Sequence, residues 1–137
     1  LDDDDLLPTN CLEDLHEGIK GFDWVCGNGQ SFGQSDYLYI GRVPDLGGML
    51  LLNHIHGGTT MYRRELFELT GGFDEELWTC EEYDFHLKLL KQGYKCNYVN
   101  KMVHLYRLHG ANKSMVYNNT IREQRVQLRE MIQNRYR

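Results

Sequence analysis

Apolar positions recur along the chain at two different periods, and the alternation between them sets out the elements. In PTNCLEDLHEGIKG (residues 8–21), Leu12, Leu15 and Ile19 return at helical spacing. Pro8 suits a first turn or Thr9 a cap, and Gly21 follows the end. FDWVCGN (22–28) predicts a short strand, GQSFGQSD (29–36) a polar, glycine-rich loop, and DYLYIGRV (36–43) a second strand with Leu38 and Ile40 on one side. MLLLN (49–53) fits a short helix or a buried strand, and periodicity does not choose between them. TTMYRR predicts a strand end, and RRELFELTGGFDE a short helix on Leu66, Phe67 and Leu69, stopped by Gly71 and Gly72. CEEYDFHLKLLKQG (80–93) is the clearest helix. Tyr83, Leu87 and Leu90 form one stripe, Phe85 and Leu89 a second, Asp84 and Lys88 an i,i+4 pair, and Gly93 the end. YKCNYV and KMVHLYRLH predict two strands. A last helix spans about Asn119 to Tyr136, with Ile121, Leu128 and Ile132 on one seam. Helices and strands intermix, so the class is α/β.

The 137 residues suffice for one domain with a core and not for two. Of the net charge of −5, Asp2, Asp3, Asp4 and Asp5 contribute −4, leaving −1 for the rest. That balance argues against a nucleic-acid footprint. The segment from Arg122 to Arg137 carries five arginines and two glutamates, a local +3. It reads as a solvated helix face, or as a face for an anionic lipid surface or a partner. Cys11, Cys26, Cys80 and Cys96 form no C-x-x-C and match no zinc or disulfide framework, so they read as small buried hydrophobes in a reducing, cytoplasmic compartment. No apolar run reaches the length of a membrane span. The chain opens on LDDDDLLP without a methionine, which suggests a piece of something longer.

Four adjacent carboxylates repel one another unless water or a cation lies among them. Hard divalent ions take carboxylate oxygens, and ligands of open α/β sheets bind past the carboxyl ends of strands. If strand geometry persists after Leu1, Asp2 and Asp4 point the same way. Glu81 and Glu82 stand in the first turn of the clear helix, either as dipole-stabilising caps or as a general base held on a rigid element. His109 follows a strand and precedes a polar loop, and could complete a metal site begun elsewhere. Arg107 and Lys113 beside it could face phosphate oxygens. His54 and His56 would share a face on a strand, but a third and fourth zinc ligand at matching spacing are lacking. Gly57 and Gly58 would let the backbone approach a ligand closely.

The order of these pieces is more specific than any one of them. LDDDDLLPTNCLE, GGTTMYRRELFELTGGFDEEL, CEEYDFHLKLLKQGYKCNYVN and YRLHGANKS together resemble the family 2 glycosyltransferases, which are nucleotide-sugar-dependent enzymes of the GT-A fold. The resemblance covers residues 1 to about 115 and is densest from Gly57 to Gly93. It implies a mixed sheet with flanking helices. Residues 1–115 would form the acceptor-side half of the domain, residues 116–137 a C-terminal amphipathic helix, and the N-terminal nucleotide-binding half would be absent. It implies that Asp2 and Asp4 fall on the D-x-D motif that holds Mn²⁺ or Mg²⁺ against the donor diphosphate, with Asp3 or Asp5 as alternatives to Asp4. It places Glu81 and Glu82 on the acidic pair that supplies the catalytic base; Glu82 stands where the family usually has aspartate. It implies a metal or diphosphate role for His109 and sugar or acceptor contacts for Gly57, Gly58 and Thr59. Arg107 and Lys113 become candidates for holding the diphosphate, and Trp78 for stacking on an acceptor sugar.

The implied reaction is inverting sugar transfer from a nucleotide-sugar donor to a saccharide or lipid-linked acceptor. Peripheral membrane contact would run through 122–137, and a chain without its other half would self-associate through exposed sheet edge and apolar surface. Two rivals are a carbohydrate-binding or interaction module without turnover, and a metal-dependent hydrolase using Asp2, Asp4, His54 and His56.

Overall fold

The computed structural model describes residues 1–110, 112 and 119–137, with side chains in the last segment from Ile121 onward. In chain order the elements are α1 (Cys11–Gly18), β1 (Trp24–Gly33), β2 (Leu38–Tyr39), α2 (Leu46–Leu51), β3 (Thr60–Tyr62), α3 (Glu65–Thr70), α4 (Glu81–Lys91), β4 (Cys96–Leu108) and α5 (Asn119–Tyr136). A short 3₁₀ turn, Gly57–Thr59, leads into β3. The result is a mixed α/β fold, a small mixed sheet with helices on its faces.

β1 is the centre of the sheet. On one edge it pairs antiparallel with β3 through Trp24–Cys26 and with β2 through Gly29 and Gln30. On the other edge it pairs in parallel with β4 along its whole length, with register shifts around Asn28. Leu6 adds an antiparallel bridge to Leu105 on the far side of β4. The alternation of a strand then sorts the core into two. Trp24 and Cys26 face a large cluster with Met49, Ile55, Leu66, Phe85, Leu87, Leu89 and Ile132, whereas Val25 faces a smaller one with Cys11, Leu15, Ile19 and Val103.

Several expectations are corrected. The polar stretch 29–33 is strand, not loop: Ser31 is fully buried, its N–H donates to the Tyr37 carbonyl at 2.8 Å, and its Oγ accepts from Tyr37 N at 2.7 Å. The residues are small because the neighbours are close; a Cβ on Gly27 would meet Val103 at 2.7 Å. The expected second strand shrinks to two residues, and Tyr37, Leu38 and Ile40 all stay exposed. YKCNYV and KMVHLYRLH merge into one strand, β4. In α1 the buried stripe is Cys11, Leu15 and Ile19, while Leu12 points to solvent; Asn10, not Thr9, takes the N-cap position, without a side-chain cap. MLLLN resolves as the end of helix α2.

α3 and α4 end as the glycines imply, with Gly71 and Gly93 at φ of 76° and 84°. Asp84 and Lys88 do not pair. Asp84 is buried and accepts from Arg135 at 3.2 Å and the Tyr136 hydroxyl at 3.0 Å, while Lys88 donates to the carbonyls of Gly72 and Thr70. Cys11, Cys26 and Cys96 are buried thiols, whereas Cys80 is half-exposed. No helix among the described residues is long and apolar enough to cross a membrane. The seam of α5 is spent on the core through Ile132 and Leu128, which leaves Val126 and Met131 as its exposed apolar residues.

Candidate active site

A cavity of about 780 Å³ lies where the 3₁₀ turn, the N-terminal end of α4, the inner part of β4, the opening aspartates and α5 converge. Its lining brings Asp2, Asp5, Gly57, Gly58, Glu81 and Glu82 together. Asp4, Thr59, Trp78, Arg107 and His109 are not in that lining. Lys113 lies outside the described residues.

The chain enters α4 through Cys80, a non-glycine residue in the left-handed region at φ 63°. Such a conformation costs of order 1–3 kcal/mol and persists only where its surroundings impose it. Here it starts the helix so that Glu81 and Glu82 occupy the first turn at the cavity wall, where the helix dipole favours their charge. Glu82 is exposed, and its carboxylate packs against the Gly57 backbone so closely that a Cβ at position 57 would collide with it. A Cβ at position 58 would collide with the imidazole of His104. The two glycines are therefore set by two different neighbours, one carboxylate and one ring. The turn itself is fixed from behind: fully buried Thr59 donates through N and Oγ1 to the His56 carbonyl at 2.9 and 2.6 Å, and Thr60 Oγ1 donates to the Gly57 carbonyl at 2.7 Å.

Behind Glu82 lies a polar relay in an otherwise apolar wall. The Tyr62 hydroxyl shares a 2.6 Å hydrogen bond with His86 Nε2, and Thr60 Oγ1 lies 3.0 Å away as a second partner. Burial pushes the Tyr62 hydroxyl far above its ordinary pKa, and the charge of Glu82 adds to the rise. Burial also drives His86 down to about 3, so the imidazole is neutral; its ring stacks on Trp24 at 4.9 Å. Its Nδ1 has no hydrogen-bond partner among the described residues.

The other wall is aromatic and acidic. The His56 ring packs at tilted angles against those of Tyr39, His104 and Tyr106, with centroids 4.6, 5.3 and 5.2 Å away. Burial, followed by His104, lowers His56 to about 4, against the opposing pull of Asp5 and Asp2. His104 is 2% exposed, and burial lowers its pKa as well. Its Nε2 lies 3.0 Å from Asp5 Oδ2, close but poorly aligned for a hydrogen bond. His54 and His56 are not on a strand, and only His56 reaches the cavity.

The aspartates do not continue a strand. They form a turn in which Asp5 N donates to the Asp2 carbonyl at 3.3 Å, so the pair sharing the cavity is Asp2 and Asp5 rather than Asp2 and Asp4. Asp5 is buried and accepts from Arg107 N at 2.8 Å; Asp4 Oδ2 lies 2.7 Å from His109 Nε2. Arg107 clamps this turn. Its Nε donates to the Asp4 carbonyl at 2.8 Å and its guanidinium lies 4.5 Å over Phe32. Among the described residues no three His, Cys, Asp or Glu side chains converge to hold a metal ion. Trp78 is 45% exposed, with the Arg125 guanidinium 5.8 Å from its ring.

Tyr62, His86, His104, Tyr106, Arg125 and Arg129 enter the lining without having been singled out as site residues from the sequence. A histidine inside the apolar stripes of α4 was a legible signal for one of them. The i,i+4 spacing of Arg125 and Arg129 was another.

No protein-family model matches the chain, and no curated protein matches it. Among solved structures the fold is similar to that of S. aureus TarS, a glycosyltransferase, with a TM-score of 0.60 and 18% identity over 80% of this chain. The chain spans 21% of the TarS chain. At that identity the likeness is one of fold.

Proposed function

We propose that the chain forms the acceptor-side part of a sugar-transfer centre that uses a nucleotide-diphosphate sugar, with inversion at the anomeric carbon. The observation that carries the reading is the Glu82 carboxylate at the cavity wall, seated on a backbone that only glycine at position 57 leaves open. The similarity of fold to a glycosyltransferase supports it.

Glu82 takes the proton from an acceptor hydroxyl as that oxygen attacks, and Glu81 in the same turn is the alternative base. Tyr62, protonated at neutral pH, lends Glu82 a neutral neighbour rather than a competing anion. The rings of His56 and Tyr106 give a sugar face an apolar wall with polar edges. Asp2, Asp4 and His109, the residues that the resemblance offers to Mn²⁺ or Mg²⁺, do not fit such an ion as they are arranged here. Asp2 opens on the cavity, whereas Asp4 and His109 lie outside its lining and are spent on each other at 2.7 Å, and among the described residues no three such side chains converge.

The test is Glu82→Gln in the full-length protein, with Glu81→Gln beside it, assayed for sugar transfer over a panel of nucleotide sugars. We expect about a 10²-fold or greater loss for the residue that acts as base. Rates near wild type in both variants would refute the assignment.

A further inference from the structure

The basic stretch at the end of the chain is not one uniform solvated face; the fold divides its arginines by task. Arg135 is held in ion pairs with Asp74 at 2.7 Å and Asp84 at 3.2 Å, and Arg137 donates to Asn134 at 3.0 Å. Arg125 and Arg129, one helical turn apart on α5, both line the 780 Å³ cavity. Their guanidinium groups lie 5.8 Å over the Trp78 ring and 6.0 Å over the Tyr83 ring. A guanidinium set against a ring face is oriented by that contact. Arg129 is exposed, and no carboxylate among the described residues lies within ion-pair distance of it.

The charged residues of the lining are otherwise Asp2, Asp5, Glu81 and Glu82. A cavity with four carboxylates repels an anionic ligand unless cations are set in its wall, and among the described lining residues Arg125 and Arg129 are those cations. Two guanidinium forks one turn apart match the several oxygens of a phosphate better than a single ammonium does.

We propose that Arg125 and Arg129 form a binding site for a phosphate group on a substrate of this cavity. The inference rests on the reading of the cavity as a sugar-transfer centre and narrows its substrate class. The phosphate belongs to the acceptor or to the donor diphosphate, and two probes separate these sources.

The experiment is calorimetric titration of the full-length protein at low salt with glucose 1-phosphate and, separately, with UDP. The variants are Arg125→Gln, Arg129→Gln and Arg129→Lys, with Arg122→Gln as a control that makes the same charge change on α5 outside the cavity lining. For at least one probe the dissociation constant should rise about tenfold or more in Arg125→Gln and in Arg129→Gln, the scale of one charge-assisted hydrogen bond. Arg129→Lys should recover part of the loss, and Arg122→Gln should bind as wild type does. A loss confined to the sugar phosphate assigns the acceptor; a loss for UDP, alone or shared, assigns the donor. The site is overturned if neither probe binds wild type, if both bind the Gln variants unchanged, or if Arg122→Gln weakens binding equally. Binding requires no turnover. A lost titration in the arginine variants alongside wild-type transfer rates in Glu82→Gln and Glu81→Gln would sink the base assignment and leave the phosphate site standing; the reverse pattern would do the opposite.

Discussion

Gly57→Ala and Gly58→Ala are adjacent and chemically identical changes, and the structure separates their effects. Neither glycine has a positive φ, so alanine adds no backbone strain and should gain about 0.4–1 kcal/mol by restricting the unfolded chain. At position 57 the new methyl meets the end of the Glu82 side chain, which is exposed and can swing away. Pushing that side chain off its rotamer costs about 0.5–1.5 kcal/mol, so the net change in stability should lie within about 1 kcal/mol of zero. At position 58 the methyl meets the His104 ring, its nitrogens at 2.6 and 2.7 Å. That ring is 2% exposed and is flanked by Asp5, His56 and Tyr106, so it has nowhere to go. Overpacking of this kind costs about 1–3 kcal/mol. Urea unfolding of the two variants, read against wild type, gives the comparison. Sugar transfer should show the inverse order relative to stability. Gly57→Ala displaces the proposed base and should lose about 10-fold or more, up to the full general-base contribution, while remaining folded. Equal destabilisation by both variants, or a Gly57→Ala protein that transfers sugar normally, would refute this account of the glycine pair.

Two other expectations follow from buried charge. His86 and His56 are lowered to about 3 and about 4, against about 6.5 unfolded, so the unfolded chain binds more protons below pH 6.5. Their contribution is therefore complete above pH 6.5 and is lost as pH falls, by about 2 kcal/mol for each histidine between pH 6.5 and 5. Urea midpoints that coincide at pH 7 and pH 5 would contradict this. Asp84→Ala removes a buried carboxylate that ties α4 to Arg135 and Tyr136 and should cost about 3 kcal/mol. Amide exchange should rise in α5 well before it rises in α1; uniform protection in both helices would argue against an anchoring role.

What could be read from the sequence was local. α3 and α4 end at Gly71 and Gly93 because only a residue tolerant of positive φ closes a helix that way, and that requirement is written in the residue itself. The glycine pair and the acidic pair were visible because each is contiguous. The sequence pattern ends this strand at Asn28 because glycine, serine and glutamine look like loop; burial between two neighbouring strands, which makes small residues necessary and carries β1 on to Gly33, is a property of the assembled sheet. The pairing of Asp84 with α5 instead of Lys88 has the same origin: 51 residues separate it from Arg135, and no window of local spacing contains both. The relay of Tyr62 and His86 likewise joins residues 24 apart, from β3 and α4. Charge density at the C-terminal end was legible, but which arginines turn inward depended on how α5 lies against α4.

The central place of β1 also dictates an order of assembly. Its parallel partner β4 arrives late in the chain, and the hydrogen bond from Lys95 N to Asp23 Oδ2 already spans 72 residues. Closing so long a loop before any pairing rewards it makes the sheet slow to form, while helices form quickly from near neighbours. The acidic turn waits longer still, since Leu6 bridges Leu105 and Asp5 accepts from Arg107, both on β4. A refolding chain thus regains its helical signal first and the seat of its aspartates last.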